Sequence, residues 1–322
     1  MPIQRSLLSY NRPLPPRNAT PRHAACPPAS VAAHPSAALA SATAPTLDDI
    51  RRGLDAGEFV AYFQPKVDLR DGSWHGAEVL ARWQHPRLGL LTPGAFLPAM
   101  EAAPASSRAL FTELFARMFG QGLALQRELS GRAQALALAF NLRPEQLAGP
   151  GFADDVGRAA AAAGLPLSGL AFEVVEADAD GVPVLGPAAL ETLRALRRMG
   201  CALAMDDFGQ GHSSLARLCE FPFDQIKLDA AFVRALEHSR ASRAVARASL
   251  LLTRELAAEL IAEGVETSAQ RQRLLAMGCR IGQGFGLAPP MAREALLRRF
   301  APRAAALAAP ARATGGTSSP AL

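Results

Sequence analysis

Cys201-Ala-Leu-Ala-Met-Asp-Asp-Phe-Gly-Gln-Gly-His-Ser-Ser214 decides the reading of this chain. Its apolar run has the character of a buried strand that ends on two adjacent carboxylates, Asp206 and Asp207, after which Gly209 and Gly211 turn the chain. Neighbouring carboxylates at a strand end repel unless a cation or a shared proton lies between them, and a cation is favoured where more carboxylates converge. The fold around this stretch therefore has to supply the partners.

Outward from it, short β-rich runs alternate with helical ones. The expected strands are 60–68, 75–83, 136–142, 170–176, 201–208, 225–229, 260–265 and 280–286, and the helices between them include 108–129, 152–163, 187–199, 241–259 and 268–277. Gly164, Gly200 and Gly278 stand just past helix ends, where a left-handed residue closes the last turn. Eight strands in some 240 residues, with neither a GxGxxG nor a P-loop sequence, fit an α/β barrel of the (β/α)8 class better than an open doubly wound sheet. The first two strands are joined by a link of hairpin length containing Asp71-Gly72, so the first strand is expected to run antiparallel to its neighbour.

Residues 1–45 are rich in Pro, Ala and Ser without a periodic apolar face and are expected to form a disordered tail, as are residues 301–322. The folded domain spans 46–300, opening with a helix capped by Thr46 and Asp49 and closing with a helix over 292–300. The net charge of +5 resides in the tails. Residues 1–45 carry four arginines and no acid, and residues 292–322 carry five arginines and one glutamate, which leaves the middle of the chain at −3. With no helix-turn-helix and no aromatic interleaving, DNA binding is disfavoured. No apolar run approaches membrane-spanning length, and Cys26, Cys201, Cys219 and Cys279 lack CxxC spacing, so a cytoplasmic location with reduced thiols is expected.

Glu78 lies within the second expected strand, Asn141 at the end of the third, Glu173 and Glu176 on the fourth, Asp206 and Asp207 at the end of the fifth, Lys227 and Asp229 on the sixth, Glu263 and Glu266 around the seventh and Gln283 on the eighth, a set read as serving one face, that of the C-terminal strand ends. Active sites of such barrels gather at that face. Carboxylates plus an amide oxygen, without His or Cys, make a hard ligand set suited to Mg²⁺ or Mn²⁺, and two such cations can activate a water and clamp a phosphodiester. Lys227 is read as the lone amine of the set. A buried salt-bridge network is the competing structural explanation, and the excess of acid argues against it.

Gln64-Pro65, Glu78-Val-Leu-Ala-Arg-Trp83, Asn141-Leu-Arg-Pro144, Glu173-Val-Val-Glu176, Asp206-Asp-Phe-Gly-Gln-Gly211, Lys227-Leu-Asp229, Ala262-Glu-Gly-Val-Glu266 and Gly282-Gln-Gly284 resemble, in order, the motif series of EAL-domain cyclic-di-GMP phosphodiesterases, from about Leu47 to Pro290. The resemblance implies a (β/α)8 barrel with an antiparallel first strand, a site for two Mg²⁺ or Mn²⁺ ions, and hydrolysis of cyclic-di-GMP to linear pGpG. By motif position it makes Glu78, Asn141, Glu173, Asp206 and Asp207 the metal ligands. Glu263 becomes the general base or water-holder, accompanied in catalysis by Lys227 and Asp207. Gln64, Arg82, Asp229 and Gln283 become substrate-binding, and Glu176 anchors the loop after the fifth strand. The tripeptide Glu-Val-Leu replaces Glu-Ala-Leu, while Gln210 and His212 stand where the family has a small residue and Tyr. The alternative is an EAL regulatory protein of low turnover that binds cyclic-di-GMP or a protein partner to control gene expression or motility. Residues 1–45 hold no sensor or cyclase module, so regulatory input is expected from a partner or the tails; a homodimer and a regulatory protein partner are left open.

Overall fold

The structure, a computed structural model, describes residues 44–132, 135–175, 185–208, 218–219 and 221–300. Among the described residues ten strands form one sheet: β1 (Phe59–Asp68), β2 (Trp74–His85), β3 (Gly89–Leu91), β4 (Ala137–Leu142), β5 (Leu170–Val175), β6 (Ala202–Phe208), β7 (Gln225–Leu228), β8 (Glu259–Ala262), β9 (Ile281–Gly282) and β10 (Met291–Ala292). Eight of them close a ring in the order β1-β9-β8-β7-β6-β5-β4-β2, sealed by the pairing of β1 with β2. β1 is antiparallel to both its ring neighbours, and the other ring pairings are parallel. This is the expected barrel with its reversed first strand. β3 and β10 lie outside the ring, paired to β2 and β1.

The helices are α1 (Leu47–Asp55), α2 (Pro93–Glu101), α3 (Pro104–Gly131), α4 (Pro144–Leu147), α5 (Phe152–Ala163), α6 (Pro187–Arg198), α7 (Ala230–Arg234), α8 (Arg240–Glu255), α9 (Ser268–Met277) and α10 (Arg293–Phe300). Thr46 and Asp49 form the capping box read from the sequence, each satisfying a backbone N–H of the other. Among the described residues, no helix is long and apolar enough to cross a membrane.

Period-2 alternation divides each strand's side chains between helices and barrel interior. Phe140 on β4 and Phe172 on β5 face outward and meet Phe119 of α3 at ring-centroid distances of 5.0 and 6.3 Å. α3 lies so close here that a Cβ at Gly122 would come within 2.6 Å of the Phe140 ring. The apolar core is thus the layer between barrel and helices. The alternate residues, Asn141 and Glu173 among them, fall to the barrel interior. They pair directly across β4 and β5.

Several expectations are corrected. The strand over 260–265 ends at Ala262, and Gly264 beyond it takes a left-handed φ of 65°. The helix over 241–259 ends at Glu255, because Ala257 takes a left-handed φ of 53° and Glu259 already pairs in β8. The strand over 225–229 stops at Leu228, since Asp229 leaves it to cap α7 through the Ala231 N–H at 2.7 Å. The strand over 280–286 contracts to Ile281–Gly282: the chain then bends back on β8, with the Gln283 N–H on the Ala262 carbonyl and the Val265 N–H on that of Gln283. The expected tails, and the loop carrying Gln210 and His212, lie outside the described residues.

Candidate active site

Lys227 is the hub of the barrel's interior. The residue is 1% exposed, and its ammonium lies 2.6 Å from Glu173 Oε2, 2.8 Å from Glu263 Oε1, 3.0 Å from Asp206 Oδ1 and 3.8 Å from Glu78 Oε2. Four carboxylates, Glu78 on β2, Glu173 on β5, Asp206 on β6 and Glu263 just past β8, therefore share one amine. Burial opposes the charge on Lys227, but Glu173, Glu78, Asp206 and Glu263 together raise its pKa well above the ordinary value.

The acids respond in opposite ways to the same setting. Burial pushes Glu173 up, yet Lys227 and a second buried amine, Lys66, pull it down to about 2. Glu78 is raised by burial, since Lys227 offsets only part of it and Glu173 and Asp206 add to it. Glu263 is raised to about 8 by burial, against the pull of Lys227 and with help from Asp206 and Glu78. Loss of water around Asp207, then the charges of Asp206 and Asp229, push that carboxyl up as well. Charge of one sign has accumulated beyond what the lysines neutralise.

Lys66 makes the site differ from its sequence reading, in which Lys227 stood as the lone amine. Its Nζ is 2.6 Å from Glu173 Oε1 and 3.4 Å from Gln225 Oε1, and the residue is 2% exposed. The signal was the strand alternation: Lys66 is two residues from Gln64 and shares its inward face.

Amides hold Glu78 from both sides. Asn141 Nδ2 donates to Oε1 at 2.7 Å, and Gln283 Nε2 donates to Oε2 at 2.6 Å and to Gln64 Oε1 at 3.1 Å. Gln64 lies directly opposite Glu78 in the β1–β2 register. Arg82 follows Glu78 by four residues on the same face of β2, which places it about 13 Å further toward the barrel mouth. There its guanidinium donates to the Ala81 carbonyl at 2.8 Å and lies over the Tyr62 ring. Asp229, besides capping α7, is near enough to raise Asp207. Glu176 lies outside the described residues.

Asp206, Asp207 and Glu263 each offer an oxygen, and these oxygens lie within 4.8 Å of one another. On a regular strand Asp206 and Asp207 would point to opposite faces. Here Asp207 adopts a φ of 54°, its N–H donates to Asp206 Oδ1 at 2.9 Å, and the β6–β7 register slips between Met205 and Phe208. That irregularity brings both carboxylates to one side. A compact set of carboxylate oxygens, with excess negative charge and no His or Cys, fits a hard divalent cation.

The family model described as EAL domain matches residues 47–290. The chain belongs to the EAL domain family. RocR, a cyclic di-GMP phosphodiesterase of Pseudomonas aeruginosa, is 46% identical to this EAL chain over 253 residues, covering 79% of the chain and 62% of RocR. MucR of the same organism, a bifunctional diguanylate cyclase/cyclic di-GMP phosphodiesterase, is 36% identical over 260 residues, covering 79% of the chain and 36% of MucR. The chain thus spans less than two thirds of either relative. A solved structure of the PaMucR phosphodiesterase in its c-di-GMP complex superposes with a TM-score of 0.69 at 36% identity, covering 78% of this chain and 98% of that one.

Proposed function

We propose that this EAL chain is a cytoplasmic, divalent-metal-dependent phosphodiesterase that hydrolyses cyclic-di-GMP to linear pGpG. The observation that carries the reading is the convergence of Glu78, Glu173, Asp206, Asp207 and Glu263 on a barrel end where, among the described residues, Lys227 and Lys66 are the amines paired with them. A structural ion-pair network would balance its charges; this one leaves a surplus that divalent cations would complete. Family membership and the likeness to RocR and PaMucR support the same substrate.

In this reading Asp206, Asp207, Glu78, Asn141 and Glu173 hold two Mg²⁺ or Mn²⁺ ions, which when bound would supply Lewis-acid polarisation of the phosphodiester and acidification of the attacking water. With the cations bound Glu263 would be a carboxylate: it orients that water, takes its proton as the oxygen attacks phosphorus, and passes that proton to the 3′-oxygen as the P–O3′ bond breaks, so that the leaving group departs as the hydroxyl. Lys227, 2.8 Å from Glu263, fixes the base and sets a positive charge beside the phosphate as negative charge builds on it. Asn141 and Gln283 hold Glu78 in place from either side. Gln64 and Asp229 border the substrate. Arg82, nearer the mouth, offers a planar fork to a phosphate.

Purified protein with cyclic-di-GMP and Mg²⁺ should release the linear dinucleotide, with EDTA stopping turnover and Ca²⁺ occupying the site unproductively. Hydrolysis by EDTA-treated protein at the Mg²⁺ rate would overturn the metal-dependent mechanism.

A further inference from the structure

The two buried lysines are not equivalent. Lys227 faces Asp206, Glu263 and Glu78 as well as Glu173, whereas the polar contacts of Lys66 are Glu173 Oε1 at 2.6 Å and Gln225 Oε1 at 3.4 Å. Lys66 thus takes the oxygen of Glu173 opposite to the one held by Lys227. An ammonium whose side chain is 3% exposed is costly to bury, and Gln225 fixes it on that side of the carboxylate. Glu173 therefore has one oxygen committed to the barrel interior. Only Oε2, now on Lys227, faces the acidic cluster and can be exchanged to an incoming cation.

We propose that Lys66 is a positioning residue and fixed counter-ion: by holding Glu173 Oε1 it restricts that carboxylate to a single oxygen toward the divalent-cation site and sets the site's metal affinity below what its carboxylates alone would give. The inference rests on the metal-dependent reading above. Affinity of hard-cation sites follows the charge count and rigidity of their ligands, so a permanent positive charge behind one ligand lowers it. The same contact removes the rotational freedom of Glu173, which keeps the ligand geometry single-valued through turnover.

The test is calorimetric Mn²⁺ binding to EDTA-stripped, full-length protein, together with kcat on cyclic-di-GMP. Lys66→Met should bind Mn²⁺ at least tenfold more tightly than wild type, the effect of a unit charge on a divalent cation about 6 Å away through a water-like dielectric and a lower bound for a buried site. Its kcat should fall, because Glu173 is freed to rotate. A residue needed only for packing would not tighten metal binding while slowing turnover. Lys66→Gln, which keeps a donor to Oε1 without the charge, should also tighten binding while retaining more of kcat, and it carries the comparison if Lys66→Met does not fold. Mn²⁺ affinity unchanged or weakened in the folded variants overturns the inference and leaves the metal-dependent reading standing. A wild-type protein that binds no Mn²⁺ removes the metal reading itself.

Discussion

Replacing Lys227 by Met keeps most of the side chain's volume and removes the cation that serves four carboxylates. Glu173 retains Lys66, so the loss falls on Glu263, Asp206 and Glu78, previously 2.8, 3.0 and 3.8 Å from the ammonium. Deleting one partner of a buried ion pair costs roughly 3–5 kcal/mol. The Asp206 and Glu263 side chains are 15 and 19% exposed, so water shares part of that burden and the lower end of the range applies. For a domain of this size each kcal/mol moves Tm by about 2–4 °C, which predicts a drop of about 6–12 °C in EDTA. The deficit also has a pH sign. Glu78 and Glu263, both already raised, escape repulsion by staying protonated; with folded pKa values above the ordinary carboxyl range, they cost stability increasingly as pH rises from about 4.5 through those values. The gap between wild type and variant should therefore be wider at pH 8 than at pH 5.5. Mn²⁺ should narrow it, because a cation bound only by the folded state adds about 2.7 kcal/mol at a hundred times its Kd and here has lost its competitor. Calorimetric melting in EDTA and in Mn²⁺ at both pH values makes the comparison. A variant that melts within a degree of wild type in EDTA at pH 8 would refute the view that Lys227 holds this cluster together.

Glu263→Gln should lower kcat by roughly 100-fold with KM little changed, since a base acts in the transition state, while Arg82→Ala should raise KM with a smaller effect on kcat; equal loss of ligand binding in both, measured with Ca²⁺ present, would contradict that division. Mn²⁺ affinity should climb with pH and level off near 8, because Glu263, held protonated to about 8, must release its proton before it can face a cation; a flat profile between pH 6 and 8 would count against it. In the loop after β6, Gln210→Thr combined with His212→Tyr should raise kcat, and Glu176→Ala should lower it while metal binding survives; unchanged kcat in both would show that these departures from the family pattern carry no functional weight.

The barrel was legible because its strands carry a period-2 pattern and its helices end on residues such as Gly164 and Gly278, which do take left-handed conformations. Where such signals are missing, the reading strayed. α8 stops at Glu255, ahead of a left-handed Ala257 inside an unbroken helix-favouring run, and no residue type there announces the break. α2 holds Pro98 in its interior and has little amphipathic pattern to reveal it. β3 and β10 span three and two residues, too few for any periodicity. In the site, chemistry was legible as residue types, while partnership was not. Lys66 and Glu173 are separated by 107 positions and by three steps around the ring, so only closure of the barrel tells that they meet.

The Asp206-Asp207 pair carries the same lesson to the scale of one peptide bond. Adjacency in sequence argues that two carboxylates at a strand end need a cation, but regular strand geometry would send them to opposite faces and leave one outside the barrel. The chain resolves the conflict at Asp207, whose left-handed φ of 54° costs about 1–2 kcal/mol for a residue with a Cβ, and less for Asp than for most. Something on both sides must hold that conformation. Before it, Asp206 is tied to Lys227 at 3.0 Å; after it, Phe208 is buried and back in register with Leu228. Strain of this kind persists only where the surroundings over-determine it, and here it lies where three carboxylate oxygens come within 4.8 Å of one another. A fold seeking stability alone would have kept β6 regular and spared both the strain and the repulsion. Both have one physical use in common, which is to present adjacent carboxylates together to a cation.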